Sequence, residues 1–527
     1  MAERSFVGKS KKKIKQFIFS RMFIIILLLI LQIVFFAVLW KTMWKYFFYS
    51  YSLTILLTFL AYVVIVNRKG NPGYKLAWFL PIILLPVFGI LLYLFFEYQS
   101  APSIINKKQT ECRNKMSVYM EQDQEIYKRL KKISPEIANL SSYLYRNMQF
   151  PVYQNTDIKY YTCGEEFFFP FLKALEKAES FIFMEYFAFS EGKMWNAVLD
   201  ILKRKAVQGV EVRFLYDGTN SFNNPYNYAD VLRKYGIRCR VFNQIRPILT
   251  TLQNNRDHRK ITVIDGRTAF TGGINLEDAY INAEVRYGYW KDTVIKVEGD
   301  AVRSFVGMFL QSWGLYDKSQ DRDYFRFFSR SAPKILTEKN VRKRECGFVI
   351  PYCDSPLDED STGESVYIDI LYTAKTYVHI MTPYLILDHE MITALTYAAK
   401  RGIDVKIIMP GIPDKPYAFA VAKTFYMELL QAGVKIYQFV PGFVHAKSFV
   451  SDDEKAVVGT INLDYRSLYL HFEDAVFFCG MDAVKDVEDD FKQTLLQCRE
   501  VTEDTCRNEK IWNKIYGRML RLIAPLM

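Results

Sequence analysis

The sequence predicts an α/β protein in which two copies of one α/β/α unit face each other across a pseudo-twofold, preceded by N-terminal transmembrane helices. Three observations predict it. Uncharged apolar runs fill much of the first hundred residues, and short apolar runs alternate with amphipathic stretches from about residue 150 onward. One polar motif occurs twice at one spacing, HRKITVIDGRTAFTGGIN at 258–275 and HAKSFVSDDEKAVVGTIN at 445–462.

A chain of 527 residues is too long for one ordinary core, so two or three domains are expected. Half of it is hydrophobic, with 41 Phe and 36 Tyr, which argues against disorder and fits a globular body with membrane segments attached. The formal charge of +12 points to a polyanionic partner, either nucleic acid or an anionic lipid surface, and composition does not choose between them. Eight cysteines without a CxxC pair suggest neither a zinc cluster nor a disulfide framework, and read as unpaired packing residues.

Residues 1–100 form the expected membrane region. Uncharged runs at about 22–40, 46–66 and 76–96 each have the length that a helix needs to cross a hydrocarbon layer of roughly 30 Å. The third contains Pro81 and Pro86, so a kink or a re-entrant hairpin is its alternative form. Arg4, Lys9, Lys11, Lys12, Lys13, Lys15 and Arg21 in the leader, with Arg68, Lys69 and Lys75 in the second loop, should be cytoplasmic. If all three runs cross, the remainder of the chain lies on the extracytoplasmic face of the cell membrane. If the third is re-entrant, it lies inside. The KKKIK run suits a topogenic signal better than a nucleic-acid patch.

A polar, helical linker is expected over 101–150, a first α/β domain over 151–335, and a second over 336–527. In the first, FIFMEYFAF (181–189) reads as a buried strand, EGKMWNAVLDILKRKAVQ (191–208) as an amphipathic helix and GVEVRFLYDG (209–218) as a strand. The second repeats the order with YVHIMTPYLIL (377–387), HEMITALTYAAKR (389–401) and GIDVKIIMPG (402–411). Another strand follows in each copy, IRCRVF at 237–242 and VKIYQF at 434–439, and then the motif. Duplication of the whole unit explains this, and a pseudo-twofold would bring both motifs to one cleft.

Side chains two apart on a strand share a face, so His258 projects with Lys260 and His445 with Lys447. Turns at Asp265-Gly266 and Asp452-Asp453 return the chain to Asn275 and Asn462, the expected phosphate-binding amides. Two imidazoles, two ammonium groups and two amides suit a phosphodiester: one histidine attacks phosphorus, the other protonates the departing oxygen, and the set calls for no metal and no cofactor. Asp265 and Asp452 belong to the catalytic motifs, where turn-making or an ion pair suits them better than chemistry. Asp292 and Glu473, downstream of each motif, are the candidates for orienting the histidines. His379, His389 and His471 are read as structural.

With these residues in view, the chain resembles the phospholipase D superfamily, whose HxKx4D motif is followed by GGxN or GSxN. His258-Lys260-Asp265 with Gly272-Gly273-Ile274-Asn275, and His445-Lys447-Asp452 with Gly459-Thr460-Ile461-Asn462, both match, with Thr460 as a small departure. Within it the chain is similar to bacterial cardiolipin synthases, on the apolar N-terminal runs, the GYWKDT stretch and the RLIAPLM ending. The resemblance implies a phosphatidyltransferase with two phospholipase D-like domains. It would carry a phosphatidyl group from one phosphatidylglycerol to another, with His258 as nucleophile, a phosphohistidine intermediate and His445 as acid and base. The implied partners are the membrane and an anionic phospholipid, not nucleic acid. A second copy of the chain stays open as a partner. Hydrolytic phospholipase D, phosphatidylserine synthase and, more distantly, a membrane-anchored nuclease are the alternatives. The closing stretch 511–527 reads as an amphipathic helix that either lies at the interface or packs on its own domain.

Overall fold

A computed structural model describes residues 21–42, 47–97, 101–245, 251–316, 324–328, 347–358 and 360–526. The lysine-rich leader and the expected boundary between the two α/β domains lie outside these residues. The chain forms two compact units, one of residues 1–104 with 245–255 and 525–527, the other of 105–244 with 256–524.

In the first unit the apolar runs form four helices: α1 (Arg21–Thr42), α2 (Phe47–Val66), α3 (Pro72–Leu84) and α4 (Pro86–Glu97). The expected third span is therefore not one helix. Asn71 caps α3 by accepting from the Gly73 amide, Pro72 supplies its first turn, and the helix ends at Leu85 beside Pro86. At 13 and 12 residues, α3 and α4 are each about 20 Å long at helical rise, short of a bilayer's hydrocarbon layer.

They fold back on each other. Trp78 and Tyr93 stack edge-on at 5.4 Å, and a Cβ on Gly89 would lie 2.6 Å from the Ile82 Cα. Arg68, before the pair, forms an ion pair with Glu97 at its end. The buried Gln32 of α1 accepts from the Phe88 amide at 2.8 Å, satisfying one free donor at the start of α4. This is the hairpin alternative to a single third helix. Counted over the described residues, no helix is long and apolar enough to cross a membrane.

Residues 101–150 are helical but are not a free linker. Met116, Met120, Leu130 and Leu144 are buried, and Met120 Sδ lies where a Cβ on Gly307 would be, at 2.5 Å. The α/β body then supplies β1 (Thr156–Tyr161), β2 (Phe181–Tyr186), β3 (Glu211–Asp217), β4 (Arg238–Phe242), β5 (Arg256–Asp257), β6 (Lys260–Ile264), β7 (Thr268–Gly272), β8 (Tyr289–Lys291) and β9 (Val294–Gly299). Its second half supplies β10 (Phe348–Asp354), β11 (Tyr377–Met381), β12 (Leu385–Ile386), β13 (Asp404–Pro410), β14 (Lys435–Phe439), β15 (Gly442–Val444), β16 (Ser448–Ser451), β17 (Lys455–Gly459), β18 (Leu463–Asp464), β19 (His471–Cys479) and β20 (Cys498–Val501).

The first sheet runs β1-β9-β7-β6-β2-β3-β4 and the second β10-β19-β17-β16-β11-β13-β14-β20, the same order with one strand added. Among the parallel strands (β2, β3, β4 and β11, β13, β14), β2 and β11 are buried almost throughout, as strands covered on both faces must be, whereas the outer β4 and β14 begin at the exposed Arg238 and Lys435. The antiparallel pair after each motif turns at Asp265-Gly266 or Asp452-Asp453, all at positive φ between 53° and 66°, the hairpin geometry that Asp and Gly permit. No disulfide joins any of the seven described cysteines.

Candidate active site

Two short parallel ladders bring the halves together. In one, β5 pairs β19 so that Asp257 faces Phe472, and the His258 amide then donates to the Phe472 carbonyl at 2.9 Å. In the other, β15 pairs β8 so that Val444 faces Lys291, and the His445 amide donates to the Lys291 carbonyl at 2.7 Å. The segment leading into each motif thus lies against the segment that follows the other motif.

The orienting carboxylates are consequently exchanged. His258 Nδ1 lies 2.9 Å from both oxygens of Glu473, and His445 Nδ1 lies 2.7 Å from Asp292 Oδ2. Each carboxylate accepts from Nδ1–H, which leaves Nε2 as the basic, nucleophilic nitrogen. Both histidines are only 7% exposed. Burial, together with the adjacent Lys260, holds the His258 imidazole well below its usual range; burial and Lys447 lower His445 to about 4. Burial alone would raise the carboxyls, but contact with the imidazoles lowers both Glu473 and Asp292. The resting site therefore holds neutral imidazole beside ionised carboxylate, twice.

The lysines share the histidine faces as expected. Lys260 Nζ donates to the His258 carbonyl at 2.6 Å, and Lys447 Nζ to the His445 carbonyl. Both are 1% exposed, and burial lowers Lys260 to about 8 and Lys447 to about 7. Lys260 also acts electrostatically on His445 and on Lys447, so the cations of the two halves share one field. A phosphodiester entering here would meet desolvated donors and restore their charge.

Thr460, the departure from the motif, has a purpose. Its hydroxyl donates to Glu473 Oε2 and so fixes the carboxylate that holds His258. At the matching Gly273 a Cβ would lie 1.9 Å from Asp292 Oδ1, so only glycine leaves room for that carboxylate. The shorter Asp292 comes up against bare backbone, whereas the longer Glu473 meets a hydroxyl.

The two asparagines differ. Asn275 Oδ1 accepts from the Ala188 amide at 3.1 Å and Nδ2 donates to Tyr280 at 2.7 Å, so this side chain also holds its loop. Asn462 is 4% exposed, and its Oδ1 has no hydrogen-bond partner among the described residues.

Asp265 and Asp452 are each occupied in holding a turn, the role that suited them better than chemistry in the sequence. Asp265 accepts from the amides of Glu179, Ser180 and Phe181 at 2.7–2.9 Å, and Asp452 from those of Lys375, Thr376 and Tyr377 at 2.8–3.0 Å. Each anchors the turn that enters β2 or β11. Asp265 is five residues along β6 from Lys260, roughly 17 Å at strand rise.

Two residues escape sequence reasoning. His471, read as structural, places its ring 5.5 Å from that of His258 and its Nδ1 3.6 Å from Glu473 Oε1; neither of its ring nitrogens has a hydrogen-bond partner among the described residues. The one available signal is its place two residues before Glu473 on β19, hence on the same face. Arg259, between His258 and Lys260, points the other way and is 2% exposed. It donates to the Glu473 carbonyl at 3.1 Å, the Asp354 carbonyl at 3.1 Å and Ser312 at 2.9 Å, binding the first motif to the second half. Among the described residues, two groups have ligand atoms close enough for a metal ion, His258 with His471 and Glu473, and Glu364 with Asp388 and Glu390. The first is part of this site.

Comparison with known proteins places the geometry in context. The family described as "Cardiolipin synthase, PLD-like domain" matches residues 171–289 and 367–495, and "Phospholipase_D-nuclease N-terminal" matches 56–97. An "Uncharacterized protein" of Streptococcus mutans is 49% identical over 88% of this chain and 98% of its own. "Cardiolipin synthase 2" of Bacillus anthracis is 32% identical over 89% of this chain and 90% of its own, and "Cardiolipin synthase" of Alkalihalophilus pseudofirmus is 31% identical over 91% and 93%. Among solved structures, phosphatidylserine synthase of Haemophilus influenzae superposes over 74% of this chain and 98% of its own, with a TM-score of 0.53 at 16% identity, a likeness of fold.

Proposed function

Because the chain belongs to the phospholipase D-like cardiolipin synthase family, we propose that its crossed histidine–carboxylate pairs transfer a phosphatidyl group from one phosphatidylglycerol to another. The observation that carries the reading is the exchange itself: Glu473 of the second half fixes His258, and Asp292 of the first half fixes His445. Neither half is a complete site alone.

In the first step His258 Nε2 attacks phosphorus. The bond from phosphorus to the glycerol headgroup oxygen breaks, and a proton from His445 Nε2 goes to that oxygen, releasing glycerol. The phosphatidyl group is left on His258. In the second step His445 Nε2 takes the proton from the terminal hydroxyl of a second phosphatidylglycerol, whose oxygen attacks phosphorus as the phosphorus–nitrogen bond breaks. Cardiolipin leaves and both imidazoles return to their starting state. His445 must hold a proton on Nε2 for the first step although its resting value is near 4. Lys447 and Lys260 help to depress it, and the substrate's phosphate charge opposes both. Substrate binding thus charges the acid. Lys260, Lys447, Asn275 and Asn462 would contact the non-bridging oxygens.

Membrane attachment fits this chemistry, since lipid hydroxyl at high local concentration outcompetes water for the intermediate. In our reading the apolar N-terminal region seats the chain in the membrane with the α3–α4 hairpin entering and leaving from one face, so that Lys107, Lys108, Arg113 and Lys115 lie with the leader's cations on the cytoplasmic side. A reporter fused after residue 527 should be active in the cytoplasm only; activity outside refutes this placement.

Purified protein given phosphatidylglycerol should release glycerol and cardiolipin in equal amounts. Phosphatidic acid as the main product would replace the synthase reading with hydrolysis. Product formed only with serine present would replace it with phosphatidylserine synthesis.

A further inference from the structure

The helix α5 (Pro416–Gln431) and the C-terminal helix α6 (Ile511–Arg521) enclose, with β14 and β20, a cavity of about 570 Å³ that shares no lining residue with the site above. Its volume is in the range of small-ligand sites. Five cations line it, Lys423, Arg499, Arg507, Lys514 and Arg518, against one acid, Glu509. Glu509 pairs with Lys423 at 2.7 Å, and Arg507 pairs with Glu503 at 2.8 Å. Arg499, Lys514 and Arg518 have no carboxylate within 4 Å among the described residues, so the cavity presents three uncompensated positive charges.

The helix that forms its wall has three faces. Gly517 is buried on α5, where a Cβ would lie 2.5 Å from the Ala420 carbonyl oxygen, and Arg521 donates to the Thr424 carbonyl at 3.3 Å. Along this face the closing stretch packs on its own domain. Lys514 and Arg518, one turn apart, form a second face that lines the cavity. On the side away from Gly517, Trp512, Ile515, Met519 and Leu522 form an apolar stripe that is 41–76% exposed. An apolar stripe beside cations is the pattern of a helix seated in a membrane interface.

We infer that this cavity is a second anionic phospholipid site, with the lipid phosphate held by Arg499, Lys514 and Arg518 and its acyl chains lying along the apolar stripe of α6. The occupant follows from charge complementarity together with that adjoining stripe, which a free anion would not use. The inference does not depend on the chemistry at the histidines.

The test uses full-length His258→Ala protein, which cannot turn over lipid, in phosphatidylcholine nanodiscs doped with either phosphatidylglycerol or phosphatidylcholine carrying brominated acyl chains. The signal is the fluorescence lost on adding Trp512→Phe, which isolates Trp512. Brominated phosphatidylglycerol should quench Trp512 well beyond brominated phosphatidylcholine. Arg499→Gln with Arg518→Gln should weaken that apparent affinity by roughly 25-fold, from about fivefold per cation lost near an anionic surface. Lys514→Gln alone, paired with a melting curve, should weaken it about fivefold and guards against misfolding of the double variant. Equal quenching by the two lipids, no quenching by either, or abolition of the excess by soluble inorganic phosphate would each overturn the proposal.

Discussion

Glu473→Gln probes the exchange of carboxylates most sharply. In the wild type, Glu473 accepts from His258 Nδ1 through both oxygens at 2.9 Å, and a hydrogen bond to a charged group contributes about 1.5–3 kcal/mol. Glutamine is nearly isosteric, but its amide donates and so favours the tautomer that carries the proton on Nε2, the nitrogen that must attack. If the whole contribution is lost at the barrier, transfer should slow by roughly ten- to 150-fold. The informative assay compares phosphatidylglycerol with a phosphatidyl ester of p-nitrophenol, whose leaving group departs without a proton. Asp292→Asn, which disturbs His445, should regain most of its first-step rate on the nitrophenyl ester, and Glu473→Gln should not. Full activity of Glu473→Gln, or rescue of Glu473→Gln and not of Asp292→Asn, would refute the assigned roles.

Other perturbations follow from the same geometry. Gly273→Ala drives a methyl group to within 1.9 Å of Asp292 Oδ1, and misplacing that carboxylate should cost on the order of a hundredfold in turnover while circular dichroism stays native. Asp265→Ala leaves the amides of residues 179–181 without their acceptor and should lower stability by about 2–4 kcal/mol in denaturant titration, with turnover per folded molecule unchanged. His445 has a folded value near 4 against about 6.5 unfolded, so the unfolded chain binds the proton first as pH falls; its neutral burial adds nothing unfavourable above about 6.5 and costs about 3 kcal/mol below about 4. The stability difference between wild type and His445→Asn should therefore shift against the wild type by that amount from pH 7 to pH 4, and a flat difference would contradict it. Gly89→Leu cannot fit the 2.6 Å approach to Ile82 and should open the α3–α4 hairpin, read as greater protease sensitivity between residues 66 and 97.

The repeat was legible because its signals are local. Strand runs such as FIFMEYFAF and YVHIMTPYLIL, and the spacing from His258 to Asn275 and from His445 to Asn462, lie within single segments that fold the same way twice. The motif histidines and lysines could be named for the same reason, and Asp292 and Glu473 could be picked as the carboxylates that lie against the histidines. Which carboxylate serves which histidine could not, because the spacing within one copy carries no record of the ladders, β5 with β19 and β8 with β15, that cross to the other. His471 was passed over since a lone histidine on a strand is usually structural, and Arg259 was hidden between two motif residues whose faces it does not share. The third apolar run had the length of a span; Pro86 and the close approach at Gly89 made it a hairpin. Residues 101–150 looked polar enough to be a linker, but Met116, Met120, Leu130 and Leu144 bury one face.

The central claim is that His258 carries the phosphatidyl group while His445 moves the proton. Rapid quenching of Asp292→Asn protein with the phosphatidyl ester of p-nitrophenol, followed by peptide mass spectrometry under alkaline conditions that preserve phosphohistidine, tests it most directly. The account predicts a phosphatidyl adduct on the peptide containing His258 and none on that containing His445. An adduct on His445, or turnover without any adduct on either, would contradict it.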